Sequence, residues 1–284
     1  MSVLIADKGR GLFWGCERTR SCMPIPCRAL RPCLPCACKG LLLLACELGQ
    51  EVLCLSRADF RERLSMPALP GLCALLPSLC GQYLYELSSE ADCIHMRSLQ
   101  TGELMRGCPV GVYPRDMSMD RTGRRLLVSG GASGELLILD ALELRVMRSI
   151  SLDGVVCAAA FIQGGAAALV TRENGELETS LEFVYADMVR HETLALFEGV
   201  AGSLCALGAT SVALGLQDGV KMLELSSRRL TPLCRALPLP GRLCWQGGRL
   251  LASDTLIGQV AQLGIQAPFP CETLYRGDAQ AAYV

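Results

Sequence analysis

Apolar residues in this chain come in short runs. Gly134-Glu-Leu-Leu-Ile-Leu-Asp140, Gln82-Tyr-Leu-Tyr-Glu-Leu87 and Lys221-Met-Leu-Glu-Leu225 are representative. Each is closed by residues that favour turns (Gly, Pro, Asp or Ser), and such punctuation returns every 8–12 residues. An amphipathic helix needs a longer stretch with apolar positions three and four apart, so the pattern predicts strands. Leucine is the commonest residue and favours helix intrinsically, but propensity is a weak prior against so regular a punctuation.

The runs recur at a long, fixed period. One strand begins near Leu41, Gln82, Arg125, Ala166, Ser211 and Arg249, at spacings of 41, 43, 41, 45 and 38. The strand after it begins near Glu51, Asp92, Glu135, Glu176, Val220 and Gln259, at spacings of 41, 43, 41, 44 and 39. Two independently chosen anchors keep step. A seventh copy fits at the start, with Ser2–Ala6 and then Gly11–Cys16, 40 residues before Glu51. A period of about 40 residues holding about four short strands marks a β-propeller blade.

The expected fold is therefore all-β: a seven-bladed β-propeller of four-stranded antiparallel blades. It fills residues 1–284 as a single domain, with repeats starting near 1, 39, 81, 123, 164, 208 and 247. The chain begins on the second strand of a blade. It ends on Asp278-Ala-Gln-Ala-Ala-Tyr-Val284, which matches the innermost strand that precedes it. Residues 279–284 are expected to complete the first blade by pairing with Val3–Ala6, closing the ring.

Charge narrows the partners. With 27 Lys and Arg against 28 Asp and Glu the net charge is −1, which gives no general attraction to nucleic acid. Residues 1–40 are locally basic, with Lys8, Arg10, Arg18, Arg20, Arg28, Arg31 and Lys39 against Asp7 and Glu17. Such a cluster is expected to be a solvated face. The longest apolar run, Leu41–Cys46, is far below the ~20 residues of a membrane span. The first residues lack the basic and apolar regions of a signal peptide. These features predict a cytoplasmic monomer, and the 17 cysteines are then expected to be free thiols.

Residues 110–150 carry a resemblance. Val110-Gly111-Val-Tyr-Pro114-Arg115-Asp116, then Asp120-Arg-Thr-Gly123-Arg124, then Leu127-Val-Ser-Gly130 are similar to the repeat of the bacterial lactonase-like propellers, the YVTN (YncE-like) family. Leu99-Gln-Thr101-Gly102-Glu103 looks like that family's turn before the outer strand. The likeness covers about two blades. It implies the propeller topology with the first strand of each blade at the axis, but it implies no single activity, because such folds serve as enzymes and as scaffolds. The Trp-Asp pair of WD40 repeats is absent: Trp14 precedes Gly15, and Trp245 precedes Gln246.

Aligned on the repeat, Cys36, Cys73, Cys157, Cys205 and Cys244 fall at one equivalent inner-strand position, with Met117 in a sixth unit. Packing near the crowded axis accounts for small apolar thiols there. The N-terminal group Cys16, Cys22, Cys27, Cys33, Cys36 and Cys38 contains one C-x-x-C but no second pair or nearby histidine, so no metal is expected. On a regular strand Cys36 and Cys38 share a face and Cys33 points away. His95 and His191 sit beside no nucleophile motif, and no metal-protease or phosphate-loop motif occurs. Gly130-Gly-Ala-Ser-Gly134 reads as a hairpin turn. No cofactor is expected.

A propeller's usual site is the funnel at one end of its channel. The resembled topology puts two sets of turns at that end. Turns entering the inner strand carry Arg31, Tyr113, Arg115, Asp116, Asp153 and Arg242; turns between the second and third strands carry Ser133, Arg172, Glu173, Asp218 and Asp254. Polar loops on a rigid scaffold are candidate ligand contacts, with Arg115-Asp116 the most distinctive pair. The expected function is a scaffold that binds a protein or small ligand at the funnel without catalysis. The alternative is a lactonase-like hydrolase acting on a sugar or phosphosugar lactone, with an arginine and a carboxylate activating water.

Overall fold

A computed structural model describes residues 2–16, 21–29, 31–173, 175–246, 248–254, 256–266 and 268–283. The described residues form seven four-stranded antiparallel sheets and no helix. Blade 1 combines Ala279–Tyr283 with the three strands of 2–25; blades 2 to 7 cover 32–67, 72–109, 116–151, 155–198, 201–234 and 242–276. The protein is thus a seven-bladed β-propeller.

The burial pattern across a blade explains why these sequences make it. Second strands such as Leu41–Cys46, Tyr83–Ser88 and Ser211–Leu216 are buried on both faces, because each face packs on a neighbouring blade. Hence they read as continuous apolar runs. Outermost strands such as Leu104–Pro109 and Val146–Ser151 meet solvent and are mixed. Core clusters run between blades: Leu84 and Leu75 of blade 3 pack with Leu43, Ala45 and Cys54 of blade 2. Polar side chains close the hairpins. Asp7 Oδ1 accepts the Gly9 and Arg10 amides at 2.8 and 2.7 Å, and Asp140 Oδ1 those of Leu142 and Glu143 at 2.9 and 2.8 Å. These are the turn-capping roles for which Asp is suited.

Sequence units counted from 39, 81, 123, 164 and 208 start in the turn between an innermost and a second strand. Each unit therefore supplies three strands of one blade and the innermost strand of the next, which ties neighbours covalently. The starts at 1 and 247 lie outside the described residues, as do Glu17, Arg18 and Arg20 of the basic segment. Of that segment's other cations, Lys8 pairs with Glu47, Arg31 with Glu47 at 3.4 Å, and Arg28 with Glu51 and Glu62 at 2.8 Å each.

The ring closes as the repeat required. Ala279–Tyr283 pairs antiparallel with the N-terminal strand, in register from Val3 with Tyr283 to Asp7 with Ala279. Lys8 N donates to Asp278 O at 2.9 Å just beyond it. Ala279, Ala281, Ala282 and Tyr283 are buried. Because this strand is the innermost of blade 1, its loss uncovers that blade's edge and the faces packed on it. Deleting residues 279–284 is expected to lower the thermal midpoint by roughly 10 °C or more, or to abolish cooperative melting, in differential scanning calorimetry.

Candidate functional site

The innermost strands surround an axial channel with a cavity of about 530 Å³. Five blades contribute continuous stretches to its wall, and blades 2 and 1 add Leu34 and Gln280. Antiparallel pairing puts the turns entering the innermost strands at the same end as those joining second and third strands. The eleven candidate residues accordingly share one end, but they do not form one cluster.

Arg115, Asp116 and Arg242 line the cavity. Ser129 fixes the first two: its carbonyl accepts the Arg115 amide at 3.0 Å, and its hydroxyl accepts the Asp116 amide at 2.8 Å. Asp116 Oδ1 accepts the Met117 amide at 2.9 Å. Burial pushes the Asp116 carboxyl up to about 6, and the Met117 and Ala159 amides and the Arg242 charge only partly offset it. The Arg242 guanidinium donates to Pro35 O at 2.8 Å. Arg115 is exposed, and its guanidinium has no ion pair or hydrogen bond among the described residues. A free cation, a desolvated carboxylate and an anchored cation thus meet at the channel.

The other candidates serve the scaffold. Ser133 Oγ donates to Gly130 O at 2.8 Å within its own turn. Asp254 is buried, and its Oδ1 caps the turn to Leu256 and Ile257 at 2.9 and 3.3 Å. Asp218 pairs with Lys221 at 2.6 Å. Arg31 pairs with Glu47, as above. Arg172 turns into blade 5, where it meets Ser180 and, at 3.4 Å, Glu182; its contact with the exposed Asp153 is 3.8 Å. Tyr113 is exposed, held by a 2.8 Å bond from its amide to Asp92 Oδ1, and Glu173 is an exposed strand end.

Glu182, which Arg172 meets, is a fully buried carboxylate. It accepts Ser180 Oγ at 2.6 Å, Thr193 Oγ1 at 3.0 Å and the Arg172 guanidinium at 3.4 Å, and meets His191 Nδ1 at 3.2 Å. Burial alone would raise its carboxyl; these partners outweigh that and hold it below the usual range. His191 is therefore a structural partner of Glu182. His95 lies directly across from Glu86 on the neighbouring strand, and Glu86 pairs with Arg97 at 2.9 Å.

The cysteine alignment needs correction. In strand register Cys36, Cys205 and Cys244 are equivalent, opposite Leu43, Ala213 and Leu251. Cys73 and Cys157 instead sit in β-bulges nearer the start of their strands, and Leu76 of blade 3 lies opposite the equivalent Tyr85. The cue was the variable spacing to the second strand: Cys36 precedes Leu41 by five residues, but Cys73 precedes Tyr83 by ten. A bulge also reverses one facing. It spans Leu34 and Pro35, so Cys33 and Cys36 oppose Ala45 and Leu43 and enter the same core. Burial pushes the Cys36, Cys73 and Cys205 thiols up to about 12, which keeps them protonated at neutral pH. Among the described residues no three His, Cys, Asp or Glu side chains gather as metal ligands. Sequence reasoning missed three other channel residues, Ser118, Trp245 and Gln280. Ser118 Oγ is buried without a hydrogen-bond partner among the described residues.

No family model and no curated protein sequence matches the chain. Solved structures share its fold. A functionally unknown protein from Desulfotomaculum acetoxidans superposes with a TM-score of 0.74 at 9% identity, covering 99% of each chain. Hydrazine synthase of Kuenenia stuttgartiensis gives 0.67 at 13% identity, over 80% of this chain and 74% of that one. The WD40 repeats of RRP9 give 0.64 at 12% identity, over 84% and 77%. At such identities the likeness establishes the propeller fold alone. Among the described residues no helix is long and apolar enough to cross a membrane.

Two outcomes follow from the site's construction. Asp116 titrates near 6 in the fold against an ordinary value of 3.8, so its protonated form is favoured by folding. Its stabilising contribution is complete below 3.8 and lost as pH rises through 6. Asp116→Asn should therefore raise the thermal midpoint by a few degrees at pH 8 and match the native protein at pH 4. Gly131 holds φ at 52°, where an added Cβ would lie 1.8 Å from the Tyr113 carbonyl oxygen. Gly131→Ala should cost about 2–4 kcal/mol in chemical denaturation, by displacing the turn that carries Arg115.

Proposed function

We propose that this protein is a binding scaffold that takes the carboxylate or phosphate group of a ligand at the mouth of its channel. The observation that carries the reading is the unpartnered Arg115 guanidinium beside the ~530 Å³ cavity, with Arg242 across from it. Two guanidinium groups against the one carboxylate of Asp116 favour an anion, and arginine is suited to grip one with paired donors. The reading includes a monomer in the cytoplasm that binds no nucleic acid, membrane, metal or cofactor. Kinship with the lactonase-like YVTN (YncE-like) repeats is part of the proposal and rests on residues 110–150. The WD40 repeats of RRP9, similar in fold, support a scaffold by analogy.

One observation favours a second reading. A carboxylate titrating near 6 beside arginines is suited to take a proton from water, as a lactone hydrolase of sugar or phosphosugar lactones would need. Calorimetric titration with a panel of small carboxylates and phosphates tests the first reading. Arg115→Ala or Arg242→Ala is expected to weaken the bound member by about 10- to 100-fold. Absence of binding across the panel, or binding indifferent to both variants, would refute it. Lactone turnover with an apparent pKa near 6, lost in Asp116→Asn, would replace it with the hydrolase.

A further inference from the structure

Cys234 ends the outermost strand of blade 6, and Cys271 begins the outermost strand of blade 7. Their sulfurs lie 3.3 Å apart, across the junction of two blades. Both backbones are pinned. Cys234 pairs with Val220 and Cys271 with Leu263, and the turn before Cys271 is fastened by Gly264 N donating to Pro270 O at 2.8 Å. The two thiols therefore meet because the sheets hold them there. Cys234 is buried among Leu237, Ala261 and Leu263, whereas Cys271 is exposed to solvent. One sulfur is open to a small solute, and the other waits directly behind it.

We propose that Cys234 and Cys271 are a modification site: a dithiol that hydrogen peroxide, or a similar hydroperoxide, converts to a disulfide joining blades 6 and 7 at the outer rim. One thiol loses its proton, and its sulfur attacks a peroxide oxygen, breaking the O–O bond and expelling hydroxide. The product is a sulfenic acid, and the hydroxide takes up the proton to become water. The second sulfur, already in contact, attacks the sulfenic sulfur, forms the S–S bond and releases the second water as its own proton transfers. In sum, two thiols and one peroxide give one disulfide and two waters. Contact makes the second step intramolecular, so it outruns further oxidation of the sulfenic acid. Partial burial and the adjacent sulfur raise the Cys271 thiol, so the first step runs through a small thiolate fraction and is slow; what favours the pair is the exposure of Cys271 and its contact with Cys234, not acidity.

The bridge would span 37 residues and link elements that separate when the propeller opens. It should raise the thermal midpoint of the oxidised protein by several degrees, as cross-links over long loops do. The experiment treats the folded chain with hydrogen peroxide, alkylates the remaining thiols, and maps a tryptic digest without reductant by mass spectrometry. The expected result is a linked pair of peptides containing Cys234 and Cys271, two hydrogens lighter than their sum and separated by dithiothreitol. Cys271→Ser, at an exposed position, should melt like the native protein under reducing conditions yet lose both the linked peptide and the thermal gain. In Cys234→Ala, Cys271 should progress to sulfinic acid because its trap is gone. If oxidised native protein shows Cys271 as free thiol, as sulfinic acid, or bridged to another cysteine, the proposal is overturned. It is equally overturned if the thermal gain survives in Cys271→Ser.

Discussion

No blade of this molecule can be left with a bare face. Its second strands are buried on both sides, so each sheet is stable only when sandwiched between two others. A row of such sheets always has two uncovered ends, and only a ring removes them. The antiparallel pairing of Ala279–Tyr283 with the N-terminal strand is thus the contact on which the other packing depends. That strand is also fastened to both neighbours: Ser253 Oγ of blade 7 accepts the Ala281 amide at 3.0 Å, and Gln280 Oε1 accepts the Leu34 amide of blade 2 at 2.8 Å.

Closure builds the site as a by-product. Seven innermost strands held around an axis leave a channel, and the turns that deliver them place side chains at its mouth. The desolvation of Asp116 follows from this geometry, since the carboxylate stands on the inner wall of a ring. Arg242 is anchored across a blade boundary to Pro35 O, so its position too depends on the ring being closed. The polar groups within blades have a different task. The Glu182 network of Ser180, Thr193, His191 and Arg172 satisfies a buried charge, and removing one partner would leave that charge uncompensated.

The architecture was legible in the sequence because it is written at long range. Two strand anchors kept a common period over six copies, and Asp278–Val284 read as an innermost strand without a blade of its own. What was not legible is local register. Bulges at Leu34-Pro35, Cys73 and Cys157 add residues to one strand of a pair, and each shifts every later side chain by a face. Aligning on cysteines hid these insertions. The candidate site was half legible for a related reason. Topology placed eleven polar residues at one end, but it could not show that Ser133 and Asp254 close their own turns or that Arg172 bends inward to Glu182. Nor did the spacing of Cys234 and Cys271 suggest their contact, which arises between blades.

A single closed ring, locked by its terminal strands, holds the channel and its mouth in place. Native-state hydrogen exchange measures this strand by strand. The amides of Ile5 and Ala281 are expected to exchange as slowly as those of the buried second strands, such as Leu84 and Leu127, because all open only when the ring opens. Exchange at Ala281 and Ile5 that is orders of magnitude faster, while Leu84 and Leu127 stay protected, would contradict it.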